Sequence, residues 1–62
     1  MRQLHVYQVI GRDHNGRRAP DATVIAQSQI DACDIAREHA GITSGVAIET
    51  GTALADAVPG LA

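Results

Sequence analysis

The sequence predicts a small α+β domain, an antiparallel sheet of three to four strands with one helix packed on one face. The element order is β-β-α-β, with a candidate further strand at the end. Three observations lead there. Leu4 to Ile10 (LHVYQVI) is rich in β-formers and too short for a stable helix. Asn15-Gly16 is a strong turn dipeptide between that run and a second β-rich run. Ser28 opens a stretch with helical periodicity that Gly41 can close.

The second strand is expected from Ala22 to Gln27, with Thr23, Val24 and Ile25 at its centre. Gly11 and Gly16 bracket Arg12-Asp13-His14-Asn15, so the two strands should form a hairpin with a long polar tip. The helix is expected from Gln29 to Ala40. Ser28 is expected to cap its first turn, with Asp31, three residues on, reaching back as in a capping box. At 100° per residue, Ala32, Ile35, Ala36 and His39 share one face, with Cys33 at its edge; Asp34, Arg37 and Glu38 lie opposite, with Asp31 at the margin. Ile30 falls on that polar side, where a solvated helix rarely needs it. Val46 to Thr50 gives a third strand. Thr52 to Val58 suits either a fourth strand or a short helix, with Pro59-Gly60 as its stop.

A chain of 62 residues makes one domain, residues 1–62. A domain this small buries only roughly 60% of its unfolded surface, so its stability margin is thin. It holds no Phe or Trp, and Tyr7 is its only aromatic residue. Cys33 is the sole cysteine, which excludes an intrachain disulfide and leaves a cysteine metal site without ligands. With no staple available, self-association or a large partner is expected. No apolar run reaches the roughly 20 residues of a membrane span, and the Met1 end has no signal-peptide pattern, so a cytoplasmic location is expected.

One helix covers one face of a sheet. On the first strand Leu4, Val6 and Ile10 point one way and His5, Tyr7 and Val9 the other, so both faces carry apolar groups. The face around Tyr7, Val9 and Ile25 is expected to lie uncovered as a contact surface, unless the C-terminal segment folds over it.

Catalysis finds no motif. There is no G-x-S-x-G, no phosphate-binding glycine loop and no H-E-x-x-H. Cys33 and His39 are nearly two helical turns apart, too far for a thiol–imidazole hydrogen bond within one helix. His5, His14 and His39 lack metal-site spacing. No catalytic residue, metal or cofactor is expected, and His39 reads as a partly buried helix-end residue that favours the dipole.

The net charge of −2 is unevenly spread. Residues 1–18 carry four arginines against Asp13, and every other acidic residue lies in residues 19–62, where Arg37 is the one arginine. Two surfaces follow. The acidic helix side, Asp31, Asp34 and Glu38 with Ile30 beside them, suits a basic protein surface, because interfaces combine an apolar anchor with a polar rim. The hairpin-tip cluster Arg12, Arg17 and Arg18 suits phosphates, the second choice because no Lys and few aromatics accompany it.

Four segments occur in order: L-H-V-Y-Q-V-I, V-I-A-Q-S-Q-I-D-A, D-I-A-R and S-G-V-A-I-E-T-G. This succession resembles very small phage proteins, most closely the hairpin–helix–strand anti-CRISPR proteins that act on type I systems. After Gly51 an Ala-rich segment departs from the aromatic, Lys-containing ending of that group. The resemblance implies a non-catalytic inhibitor, in the cytoplasm of an infected bacterium, that binds a subunit of the guide-RNA-loaded surveillance complex and stops it pairing with target DNA. It would use Asp31, Asp34 and Glu38 as electrostatic contacts and Ile30 or Tyr7 as apolar anchors. A homodimer is a further expectation.

Overall fold

The hairpin is the first element that the chain can form locally, and the rest is laid against it. In the computed structural model, which describes residues 3–53 and 56–61, it comprises β1 (His5–Arg12) and β2 (Ala22–Ala26). Their register pairs Tyr7 with Val24 and Val9 with Ala22. The tip is held by Asp13, whose Oδ1 accepts from the backbone N–H groups of Asn15 (2.9 Å) and Arg17 (3.0 Å). Gly16 supplies the positive φ of 79° that the turn needs.

Helix α1 (Gln29–His39) starts where the sequence places it. Ser28 Oγ accepts from the Asp31 N–H at 3.2 Å. The return bond of the expected capping box, from the Ser28 N–H to the Asp31 carboxylate, is absent among the described residues. At the other end Ala40 is the C-cap, and Gly41 turns left-handed at φ 73°. The following strand β3 (Ser44–Thr52) is longer than the five residues expected and returns antiparallel beside β1. Its register shifts between Val6 and Tyr7, a bulge that sets Glu49 beside Tyr7. The fourth strand is β4 (Gly60–Leu61), two residues paired with β2. The expected element over Thr52 to Val58 is therefore corrected: Thr52 ends β3, Ala53 and residues 56–58 are neither strand nor helix, and Leu54 and Ala55 lie outside the described residues. The Pro59-Gly60 pair leads into the last strand instead of ending it. The sheet order is β3-β1-β2-β4, with α1 on one face. No helix among the described residues is long and apolar enough to cross a membrane.

Alanine sets how this helix packs. Among the described residues the buried cluster is Tyr7, Val9, Ala19, Ala22, Val24, Ala26, Ala32, Ala36, Ile42 and Ala47, six alanines among ten residues. Small side chains on both α1 and β2 let the helix lie close to the sheet. Close packing is also visible where β1 meets β3. Gly11 and Gly45 stand opposite each other under Ile42, and a Cβ built on Gly11 would lie 2.1 Å from Ser44 O. Ile42 fills the space that two side chains would have taken.

The expected uncovered face is corrected by this arrangement. One sheet face is indeed without a helix, but Tyr7 and Val9 are on the other one, facing α1. Tyr7 is 4% exposed and Val9 1%. The register explains the exchange: Tyr7 opposes Val24 and not Ile25, so Ile25 shares a face with Val6 and Ile10. The open face thus carries Val6, Ile10 and Ile25, all partly buried, together with Val46 (64% exposed) and Ile48 (50%) on β3. The largest aliphatic residues of the sheet sit outside the core, and the alanines sit inside.

Two predictions follow from the packed side. Gly11→Ala should cost about 1–3 kcal/mol in chemical denaturation, because the clash is with backbone and cannot be relieved by a rotamer. The Tyr7 phenol is held above its ordinary 10.0 by burial first, then by the charges of Glu49 and Asp31. A raised folded-state pKa means that the neutral form supports the fold. That support is complete below pH 10.0 and is lost as pH rises through the folded value. Tyrosinate absorbance, unambiguous with one Tyr in the chain, should therefore appear together with unfolding on the alkaline side of a free phenol.

Candidate protein-binding surface

The outer stripe of α1 follows from its inner one. With Ala32 and Ala36 buried, a helix of 100° per residue must turn Ile30, Asp34 and Glu38 to solvent, and all three are exposed. Ile35 is half-buried beside the core. His39 is exposed, which corrects the expectation that it is partly buried; its Nε2 lies 3.9 Å from Glu38 Oε2.

Ile30 is 76% exposed, the most exposed large aliphatic among the described residues. It stands at the mouth of a shallow groove of about 350 Å³ between α1 and β3, lined by Gln29, Ile30, Cys33, Asp34, Val46 and Ala47 among others. Gln29 closes the floor by donating from Nε2 to Ala47 O at 3.1 Å. Cys33 Sγ lies 4.0 Å from Gly45 O, a weak contact, and the thiol is partly buried.

The three carboxylates of the stripe are not equivalent. Asp34 Oδ1 accepts from Arg37 Nη2 at 2.6 Å, one turn away on the same face, so its charge is largely answered within the helix. Among the described residues Glu38 has only the distant imidazole of His39. Asp31 has no ion pair among the described residues and lies close enough to Tyr7 to raise the phenol. Its own position in the first turn is favoured by the helix dipole. Tyr7 itself is inside the fold and drops out as an apolar anchor; Ile30 alone keeps that role.

The arginines of the hairpin tip are divided in the same way. Arg12 Nη1 donates to Gly16 O at 2.8 Å, bracing its own turn. Arg18 Nη2 faces Asp21 Oδ1 at 3.8 Å. Arg17 is exposed and has no side-chain partner among the described residues. Arg12 and Arg18 stand opposite each other as a β-bridge pair, but each is turned towards a group of its own hairpin.

Sequence reasoning missed one cluster, at the end of the sheet where β1 begins. His5 and Tyr7 meet edge to face with ring centroids 6.2 Å apart, and His5 Nδ1 lies 3.4 Å from Glu49 Oε1. That contact is close enough for an ion pair when the imidazole is protonated, but it is not aimed as a hydrogen bond, and Nδ1 is otherwise unpartnered. The bulge in β3 brings Glu49 there, and no sequence signal announced it. Cys33 and His39 are not hydrogen-bonded to each other among the described residues, and no group of three or more potential ligands there could hold a metal ion.

Asp13 organises the tip, so Asp13→Ala should destabilise the domain by about 1 kcal/mol while leaving the sheet and helix in place. Amide exchange read by NMR should speed up at Asn15 and Arg17 and stay unchanged in β3. Neither a family model, nor a curated protein, nor a solved structure matches this chain.

Proposed function

We propose that this chain is a non-catalytic protein-binding domain that offers the outer stripe of α1 to a basic partner. One observation carries the reading: Ile30 stands 76% exposed at the mouth of a groove that Asp34 also lines. An isoleucine in solvent contributes nothing to the fold, whereas at the centre of a contact it excludes water and gives the polar rim its worth. Asp31 and Glu38 supply the rim charge, with Asp34 held in place by Arg37.

The narrower form of the proposal names the partner as a type I CRISPR surveillance complex, with this chain as a phage-encoded inhibitor of target recognition. The sequence resemblance supports it, and so does the chemistry. Target DNA is held in a basic channel largely through its backbone, so carboxylates set beside an apolar anchor compete for the same side chains. A net charge of −2 is too small to imitate a DNA strand wholesale, so the block would be local.

The second reading, a nucleic-acid-binding regulator using Arg12, Arg17 and Arg18, has weaker support because two of those arginines already answer groups of their own hairpin.

The test is co-purification with a type I surveillance complex, followed by a gel shift with target DNA. The expected outcome is loss of DNA binding by the loaded complex, restored by Glu38→Lys or Ile30→Arg through at least a tenfold loss of affinity, about 1.4 kcal/mol. DNA binding left intact by a saturating amount of the chain removes the inhibitor reading. Retardation of free DNA at low salt, abolished by Arg17→Ala with Arg18→Ala, would move the assignment to the second reading.

A further inference from the structure

We infer that the open face of the sheet receives a second copy of this chain, the two sheets stacking face to face about a two-fold axis. The inference does not depend on the partner of α1: the helix lies on the opposite face of each copy, and among the described residues the two surfaces approach each other only at Val46, on the β3 edge.

The sheet's edges are covered only in part. At β3 the carbonyl of Ala47 is taken by Gln29, and Cys33 makes a weak contact with that of Gly45, while β4 pairs with Val24 and Ile25 of β2. The face has no cover from the helix. Val46 and Ile48 stand exposed on it beside the partly buried Ile10, among the described residues. Two exposed branched aliphatics side by side on a sheet face favour a contact there.

The chemistry of the face selects the occupant. Between Val6, Gln8 and Ile10 on β1, Thr23 and Ile25 on β2, and Val46 and Ile48 on β3 there is no formal charge. Among the described residues, charge on this face is confined to its hairpin-tip end, where Arg12 continues the same side of β1 and braces Gly16 O. A charged partner would find nothing to pair with on the aliphatic part of the face, whereas a second copy brings an equally neutral surface, the self-complementarity that a two-fold contact requires. The polar groups are partly satisfied in advance. Thr23 Oγ1 donates to Gln8 Oε1 at 3.2 Å, so this pair enters the contact without a lost hydrogen bond.

Strands of eight, five and nine residues, rising about 3.3 Å per residue and about 4.8 Å apart, give roughly 350 Å² of projected face. Side-chain relief brings the surface removed from two copies towards about 1,000 Å², the low end for a specific interface. The need is also continuous. A core of six alanines and few larger groups leaves the domain short of buried area from the moment it folds, and a copy of itself is the partner always present.

Sedimentation equilibrium from micromolar to millimolar concentration, with reductant present to keep Cys33 free, tests the inference. The wild type should show the mass of two chains and a thermal midpoint that rises with concentration. Ile48→Lys should weaken the dimer at least tenfold, and Ile30→Arg should leave it unchanged. Should the lysine variant fail to fold, the wild-type midpoint decides: a rise with concentration supports the dimer. A wild type at single-chain mass with a constant midpoint overturns the inference. So does a dimer that survives Ile48→Lys, or one lost on Ile30→Arg.

Discussion

The distance at which one alanine-faced helix can approach one sheet governs this molecule. Ala32 and Ala36 on the helix meet Ala22, Ala26 and Ala47 on the strands, and the space between the layers is too thin for branched side chains at those positions. Interiors are packed close to solid density, so volume cannot be added on one side without being removed from the other. The sheet's larger aliphatics are accordingly turned outwards. The uncovered face of the sheet, with Val46 and Ile48 exposed on it, follows from that thin interior.

Local features were readable in the sequence because their causes are local. Ser28, Gly41 and the Asn15-Gly16 turn each act through the backbone of their own neighbourhood, and each is found in its expected role. So is the general form, one helix on one side of an antiparallel sheet. Which side was not readable. Strand β1 alternates apolar groups onto both faces, and the choice depends on cross-strand register, which the length and geometry of the hairpin tip decide. An offset of one residue exchanges the faces, and it exchanged Tyr7 and Val9 for Val6 and Ile10. A signal was present nonetheless. Ala22 and Ala26 share a parity on β2, and two small residues on one face mark where another element comes close. The bulge beside Glu49 left no such trace, because it answers to strand pairing across more than forty residues.

The two charged surfaces show how much a residue list leaves out. Three carboxylates and three arginines read alike in sequence as clusters. In the fold Arg37 answers Asp34, Gly16 O answers Arg12, and Asp21 answers Arg18 in part. What remains available is Asp31 and Glu38 on one surface and Arg17 on the other. Exposed ion pairs contribute little stability, so this pairing matters chiefly for what is left to meet a partner.

The two-residue strand at the chain's far end has a role out of proportion to its length. Gly60–Leu61 pairs with Val24 and Ile25 of β2 on the side away from β1, and the segment leading to it comes from the opposite margin of the sheet. Without that pairing the whole outer edge of β2 would be an open template, onto which neighbouring molecules could add one after another, the route by which fibrils grow.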